Sequence, residues 1–204
     1  TLFPYTTLFR SERANIYIDD NFFLGVNAEI IYHLNLKKGD EVDEEKLKTI
    51  IEKEALSKAK NKAMSILNRT AISEKKLREK LADYSDDIVD EVINKLKEYG
   101  FINDKDLAKR IANDNSNISR FGKNKIRQNL YRKGISKEDI EETIEEIDSD
   151  EQYENALYLA RKRYKNLKGE DNRKVYQKLT QHLAYKGFSY DIIKSAIQEV
   201  MNED

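Results

Sequence analysis

The sequence predicts a mainly α-helical protein: three tandem three-helix repeats in an elongated arrangement, preceded by a small N-terminal β-hairpin and helix module. Three observations carry that expectation. Apolar residues keep helical spacing almost without interruption after residue 43, the only proline among 204 residues is Pro4, and one internal offset of 53 residues superimposes two long stretches of chain. The offset maps Ile126, Leu130, Gly134, Ile135, Ser136, Ile140, Ile144 and Ile147 onto Leu179, Leu183, Gly187, Phe188, Ser189, Ile193, Ile197 and Val200. Each copy reads as a helix, a glycine stop, an apolar plug, a serine N-cap and a second helix. Glycine tolerates the left-handed conformation that ends a helix, and serine offers the acceptor that starts the next.

The elements follow in order. The opening TLFPYTTLFRS differs in composition from the Lys-, Glu-, Asn- and Ile-rich remainder. It resembles, residue for residue, the translation of a constant adapter used in short-read DNA sequencing libraries, so residues 1–11 are read as a non-native segment and left out of fold reasoning. In residues 12–42, alternation at Ile16, Tyr17 and Ile18, the turn formers Asp19, Asp20 and Asn21, and then Phe22, Phe23 and Leu24 predict a hairpin ending at Gly25. Asn27 can cap a short helix through about Leu34, and Gly39 with Asp40 forms a turn. Residues 43–104 hold a long helix and the first repeat. Asp43, Glu44 and Glu45 open the helix, and Leu47, Ile50, Ile51, Ala55, Ala59, Ala63, Ile66 and Leu67 form its stripe. Leu77 and Leu81, then Val89, Ile93 and Leu96, mark the two helices that follow. Residues 105–149 form the second repeat, led by Leu107, Ala108, Ile111 and Ala112, and residues 150–204 the third, led by Leu159, Ala160 and Tyr164.

Composition excludes several classes. The chain is 37% charged, and no run approaches the roughly 18 to 20 apolar residues that span a bilayer. With no cysteine there is no disulfide framework or thiolate chemistry, which favours a cytosolic protein. His33 and His182 are far apart and neither has ligands at metal spacing, so no metal or other cofactor is expected. Gly122 and Lys123 superficially suggest a phosphate loop, but that motif needs glycine at 117 and Ser or Thr at 124, and both are asparagine. Dinucleotide, zinc-protease and serine-hydrolase signatures are absent from the sequence, and its paired carboxylates lie on polar faces. The expectation is a protein that is not an enzyme.

The strongest motifs lie at residues 63–81 (AMSILNRTAISEKKLREKL, including Arg69 and Ser73), 99–108 (YGFINDKDLA) and 122–135 (GKNKIRQNLYRKGI). In this order, spacing and threefold repetition the chain from about Asn15 to Glu199 resembles the bacterial RecX regulatory proteins. The hairpin with LKKGDEVDEEKL, residues 36–47, resembles their Gram-positive branch. It departs in two places: the adapter-like string stands where that branch has a first β-strand, and Leu107 replaces a usual aromatic, a swap the core can tolerate. The resemblance implies a regulator that lodges in the helical groove of the RecA filament on DNA and contacts neighbouring subunits. Such proteins block filament extension or promote disassembly, and lower ATP hydrolysis and strand exchange. The expected partner is therefore the RecA filament, with single- or double-stranded DNA as a further partner, and the expected state is monomeric.

Net charge is only -1, but its distribution is segregated. Residues 107–135 carry Lys109, Arg110, Arg120, Lys123, Lys125, Arg127, Arg132 and Lys133 against Asp114 alone, whereas residues 136–154 hold ten acids against Lys137. Residues 155–187 are basic again, with Arg161, Lys162, Arg163, Lys165, Lys168, Arg173, Lys174, Lys178 and Lys186. Under the offset of 53, Arg120 maps to Arg173, Lys125 to Lys178 and Lys133 to Lys186. The candidate partner- or DNA-binding set is these six with Arg110, Lys123, Arg127, Arg132, Arg161, Lys162 and Lys174. One reading is a repeated cationic edge that meets acidic RecA surface or DNA backbone. The other is a solvated face with bases placed near helix C-termini, where the dipole favours them. Tyr131, Tyr164, Tyr176 and Tyr185 read as half-buried core edges in preference to platforms for DNA bases. A stand-alone DNA-binding protein, using residues 123–133 and 137–147 as a helix-turn-helix-like pair, is the alternative. Against it, the second helix and its flank carry seven acids: Glu138, Asp139, Glu141, Glu142, Glu145, Glu146 and Asp148. A helical scaffold with an unrelated partner is the third option.

Overall fold

The structure is a computed structural model that describes residues 2–5, 13–41, 43–167 and 169–203. Most of the adapter-like opening, Val42 at the end of the predicted N-terminal module, and Lys168 of the third charge block lie outside the described residues. The chain divides into two compact units, residues 1–70 with 78–98, and residues 71–77 with 99–204.

In the first unit, the predicted hairpin is formed by β2 (Arg13–Ile18) and β3 (Asn21–Asn27). Its turn is the two-residue Asp19-Asp20, both at positive φ (48° and 62°), the geometry that matches the twist of the flanking strands. Asn21, expected in the turn, instead begins β3, and the register slips between Ile16 and Tyr17, leaving Phe23 as an extra residue. A third strand lies within the adapter-like opening: β1 (Leu2–Tyr5) pairs antiparallel with β2, Leu2 opposite Ile18 and Tyr5 opposite Asn15. Strand pairing uses backbone groups, so a short extended segment can fill an open sheet edge whatever its side chains.

Asn27 caps α1 (Ala28–His33) by accepting from the Glu29 N–H at 3.0 Å, and Asp43 caps α2 (Glu44–Leu67) by accepting from Lys46 at 2.8 Å, both as the sequence predicts. Ile16, Val26, Ile30, Leu36 and Ile50 make the core between the sheet and α2. Ile51, placed on the apolar stripe, is instead 47% exposed, while Glu54 is 2% exposed. The Glu54 carboxylate sits beneath the sheet, accepting from Arg13 Nη2 at 2.8 Å and the Asn27 N–H at 2.6 Å, with Lys58 Nζ at 3.3 Å. The second half of α2, with Ala59 and Ala63 buried, packs with α4 (Asp86–Glu98), whose Val89, Val92, Ile93 and Leu96 are buried. Glu54→Ala strips the Asn27 amide of its partner and should cost about 2 kcal/mol. Urea denaturation followed by circular dichroism measures it; a loss below about 0.5 kcal/mol, the scale of an ordinary surface substitution, would show that the sheet is not held by this carboxylate.

The boundary between the units falls inside α3 (Glu74–Lys80), after Leu77. The second unit holds the second repeat, α5 (Asp104–Asn113), α6 (Lys123–Lys133) and α7 (Lys137–Glu145), and the third, α8 (Ser149–Tyr164), α9 (Asn172–Lys186) and α10 (Tyr190–Asn202). Gly134 and Gly187 end α6 and α9 in the left-handed conformation at φ 84° and 90°. Ser136 caps α7, accepting from the Asp139 N–H at 3.1 Å, and donates its hydroxyl to Asp139 Oδ2 at 2.7 Å, whereas Ser189 takes the N-cap position of α10 without a side-chain cap bond. The predicted apolar positions fill two cores, around Leu107, Ile126, Leu130 and Ile144 in the second repeat and around Leu179, Leu183, Ile193 and Ile197 in the third.

Candidate functional site

Of the bases selected from sequence, Arg120, Lys125 and Lys186 meet at the junction between the second and third repeats and Lys123, Arg127, Arg132 and Lys133 lie on α6 beside it, whereas Arg110 lies on α5, Arg161 and Lys162 on α8, and Arg173, Lys174 and Lys178 on α9. The junction starts from an unmet need of α6: its first N–H groups lack intrahelical partners, and its N-cap, Gly122, has no side chain to supply one. The C-terminal end of α9 supplies them. Gly122 N–H donates to the Lys186 carbonyl at 2.9 Å and Asn124 N–H to the Gly187 carbonyl at 3.1 Å, while Lys123 N–H donates to Gln152 Oε1 at 2.9 Å. The positive end of one helix thus faces the negative end of another. The approach is close: a Cβ on Gly122 would lie 2.3 Å from the Gly187 carbonyl group, and one on Gly187 would lie 2.3 Å from the Lys125 nitrogen.

A buried polar network seals the same junction. After α5 the chain makes a π-helical turn (Asp114–Ile118), in which Ser116 is buried and donates to Glu151 Oε1 at 2.8 Å. Asn155 of α8 donates to the Ser116 carbonyl at 3.2 Å and accepts from Arg120 Nη1 at 2.7 Å, and Gln152 donates to the Phe121 carbonyl at 3.3 Å. Three of the candidate bases then cross the junction onto aromatic rings: Arg120 over Tyr158 at 4.1 Å, Lys125 over Tyr185 at 5.1 Å and Lys186 over Phe121 at 5.0 Å. The offset partners therefore do not share environments. Arg173 is exposed on α9, Lys178 is paired with Glu170 at 2.6 Å, and the Lys133 side chain is exposed.

Many remaining charges cancel within a repeat. Arg127 holds Glu141 with two hydrogen bonds, 2.8 and 3.0 Å, which raises the guanidinium pKa and lowers that of the carboxyl. Lys105 binds Glu142 at 2.8 Å and Lys109 binds Glu146 at 2.7 Å, each lysine raised by its acceptor and Glu142 lowered by its donor. Arg161 binds Glu199 at 2.9 Å and also Glu203, and its pKa is raised, chiefly by Glu203. His182 is lowered by burial, with Lys186 and Arg163 adding to the effect. Of the candidates, Lys123, Lys125, Arg132, Lys133, Lys162, Arg173 and Lys174 have no carboxylate partner among the described residues, Arg132 instead donating to Asn129. Arg110 lies exposed on α5 and reaches only the Asp106 carbonyl, at 3.4 Å.

Two cavities adjoin along α6. One, about 590 Å³, is lined by Lys125, Arg127, Gln128, Tyr131, Arg132, Lys137, Ile140 and Glu141. The other, about 550 Å³, shares Lys125, Arg127 and Gln128 and reaches Tyr185 and Gly187. The tyrosines depart from the expected core role in part. Tyr164 and Tyr176 pack against the third-repeat core, but Tyr131 and Tyr185 are 73% and 74% exposed, because each falls on the face of its helix away from the buried stripe.

Sequence reasoning missed Ser116, Gln152 and Asn155. Polar residues at 152 and 155, spaced three apart on the apolar side of a helix that continues through Ala156 and Ala160, were the available signal. Among the described residues no cluster of His and carboxylates could hold a metal, and no helix is long and apolar enough to cross a membrane.

Four family models match in chain order: the regulatory protein RecX N-terminal domain at residues 10–43, and the first, second and third three-helix domains of RecX at residues 59–96, 103–144 and 150–197. A regulatory protein RecX of Clostridioides difficile is 50% identical over 194 residues, covering 95% of this chain and 92% of its own. The chain belongs to the RecX family of regulatory proteins. A RecX of Clostridium botulinum strain Alaska E43 is 40% identical, covering 94% of this chain and 91% of its own. A crystal structure of a regulatory protein RecX superimposes with a TM-score of 0.76 at 28% identity, over 90% of this chain and 94% of that one. RecX from Lactobacillus salivarius gives 0.68 at 34% identity, over 72% and 96%. Two of the RecX-like motif residues acquire clear positions. Ser73 is buried and donates to the Lys133 carbonyl at 2.6 Å, and Leu107, the departure from the usual aromatic, lies in the second-repeat core.

Proposed function

We propose that this RecX family member binds the RecA recombinase filament on DNA in the cytoplasm and inhibits its extension, ATP hydrolysis and strand exchange, thereby modulating recombination and DNA repair. The observation that carries the reading is membership of the RecX family through four domains in order. The second unit supports it: two repeats locked through helix ends and a buried polar network offer a firm surface whose bases without a carboxylate partner among the described residues, Lys125, Arg132, Lys133, Lys162, Arg173 and Lys174, suit an acidic or phosphate-bearing partner. A duplex-reading role for α7 is disfavoured, since Glu138 and Glu145 are exposed on it.

The test is ATP hydrolysis by the cognate recombinase on single-stranded DNA while this protein, lacking residues 1–11, is titrated in below the recombinase concentration. Hydrolysis should fall with filament shortening. An unchanged rate with a folded protein would overturn the reading.

A further inference from the structure

Tyr99 and Phe101 stand apart from the other exposed rings. They are 72% and 54% exposed and meet each other edge to face, with centroids 6.5 Å apart. Among the described residues no cation covers either ring, whereas Tyr158 and Tyr185 lie under Arg120 and Lys125. Gly100 between them turns the chain at φ 71°, and buried Ile102 with the Asn103 cap of α5 fixes the turn behind them. The two rings form an aromatic knob. Lys97 and Glu98 before it cancel, but Asp104 and Asp106 follow it while Lys105 is held by Glu142, so the knob has an acidic rim.

Its complement lies on the same unit. The cavity of about 590 Å³ along α6 and α7 has mainly apolar walls, Ile140 and the exposed Tyr131 among the methylene stems of Lys125, Arg132 and Lys137. Glu141, the carboxylate lining it among the described residues, is held by two hydrogen bonds from Arg127, which leaves the rim cationic. Neither Tyr99 nor Phe101 lines this cavity, and both features belong to one compact unit, so a chain does not fill its own socket.

We propose that the knob of Tyr99 and Phe101 on one copy docks into the α6 and α7 cavity of a second copy, its rings against Ile140 and Tyr131 and its acids toward Lys125, Arg132 and Lys137. The occupant is another copy of this chain because an apolar socket with a cationic rim selects the two properties the knob combines, uncovered rings and flanking carboxylates. Two rings of about 150 to 250 Å² each make a contact below about 1,200 Å² in total, so the association is weak and operates at high local concentration. The contact goes beyond the filament reading and needs no recombinase, so the two fail separately.

The experiment is sedimentation velocity of the whole chain over a concentration series reaching about 1 mM, the range in which a contact this small shows. The weight-average mass should rise with concentration. Tyr99→Ser with Phe101→Ser removes the knob, and Arg132→Glu with Lys137→Glu reverses the socket rim; each double variant alone should associate roughly tenfold more weakly or less. Mixed in equal amounts, the two should form a one-to-one dimer, because the first keeps the socket and the second keeps the knob. That recovery requires both variants to be folded, and circular dichroism checks their helicity independently. A chain that stays monomeric throughout the series, association unchanged by either double variant, or a mixture no more associated than its components would each overturn the proposal.

Discussion

Substituting Gly122 by alanine is expected to destabilise the second unit by about 3 kcal/mol, the upper end for overpacking a tight contact. The backbone of Gly122 is ordinary, at φ -73°, so conformational strain is not the cause. The cause is space: the new methyl would overlap the Gly187 carbonyl group at 2.3 Å, backbone against backbone, with no flexible side chain to move aside. Relief requires the helix ends to separate, which lengthens the Gly122 to Lys186 and Asn124 to Gly187 hydrogen bonds together. Gly169→Ala is the matched control, since Gly169 has φ 89° but nothing within 4 Å of an added Cβ, and should cost only about 1 kcal/mol of backbone strain. Thermal and urea unfolding of both variants decide the matter. Equal losses would mean that close approach contributes nothing.

The second large effect is on the proposed inhibition. Reversing Lys125 and Arg132 to glutamate should raise the concentration needed to inhibit recombinase ATP hydrolysis by more than tenfold, because both bases line the same cavity on α6 without a carboxylate partner among the described residues. The comparison is Lys178→Glu, whose cation is already bound by Glu170 at 2.6 Å and so offers less to a partner; inhibition should change by less than about threefold, within the small worth of an exposed pair. Inhibitory strength that tracks total charge, with Lys178→Glu as harmful per charge as the α6 pair, would assign the effect to long-range electrostatics rather than to this face. Helicity by circular dichroism should be unchanged in all three substitutions.

The repeat architecture was legible because its signals are local. A glycine at a helix end, a serine at the next start and an apolar stripe between them act within one turn of chain, and Gly134, Ser136 and Gly187 behave in the structure as their residue types dictate. The pairing of charges was not legible. Blocks of opposite sign at residues 107–135 and 136–154 are segregated along the chain, but α5, α6 and α7 fold against each other and bring Lys109 and Arg127 onto Glu146 and Glu141, with Lys105, just before the basic block, on Glu142. Nor could the offset of 53 show that equivalent bases would meet unlike neighbours. The second repeat has the third beyond it, so Arg120 and Lys125 find Tyr158 and Tyr185, whereas Arg173 is left exposed on α9. Identical position within a repeat does not confer identical position in the stack.

The buried Glu54 separates two notions of a module. The family models for the N-terminal domain and the first three-helix domain end at residue 43 and begin at residue 59, leaving the stretch between them unmatched by either. Ile50, Glu54 and Ser57, which tie the sheet and the Asn27 turn to α2, all fall inside that gap. The segment between the two domain models is the splint on which the sheet sets. A chimera that exchanges N-terminal domains at this gap would carry the sheet away from its counter-ion, so the natural place to graft lies beyond Ser57, with the first half of the long helix travelling as part of the piece it supports.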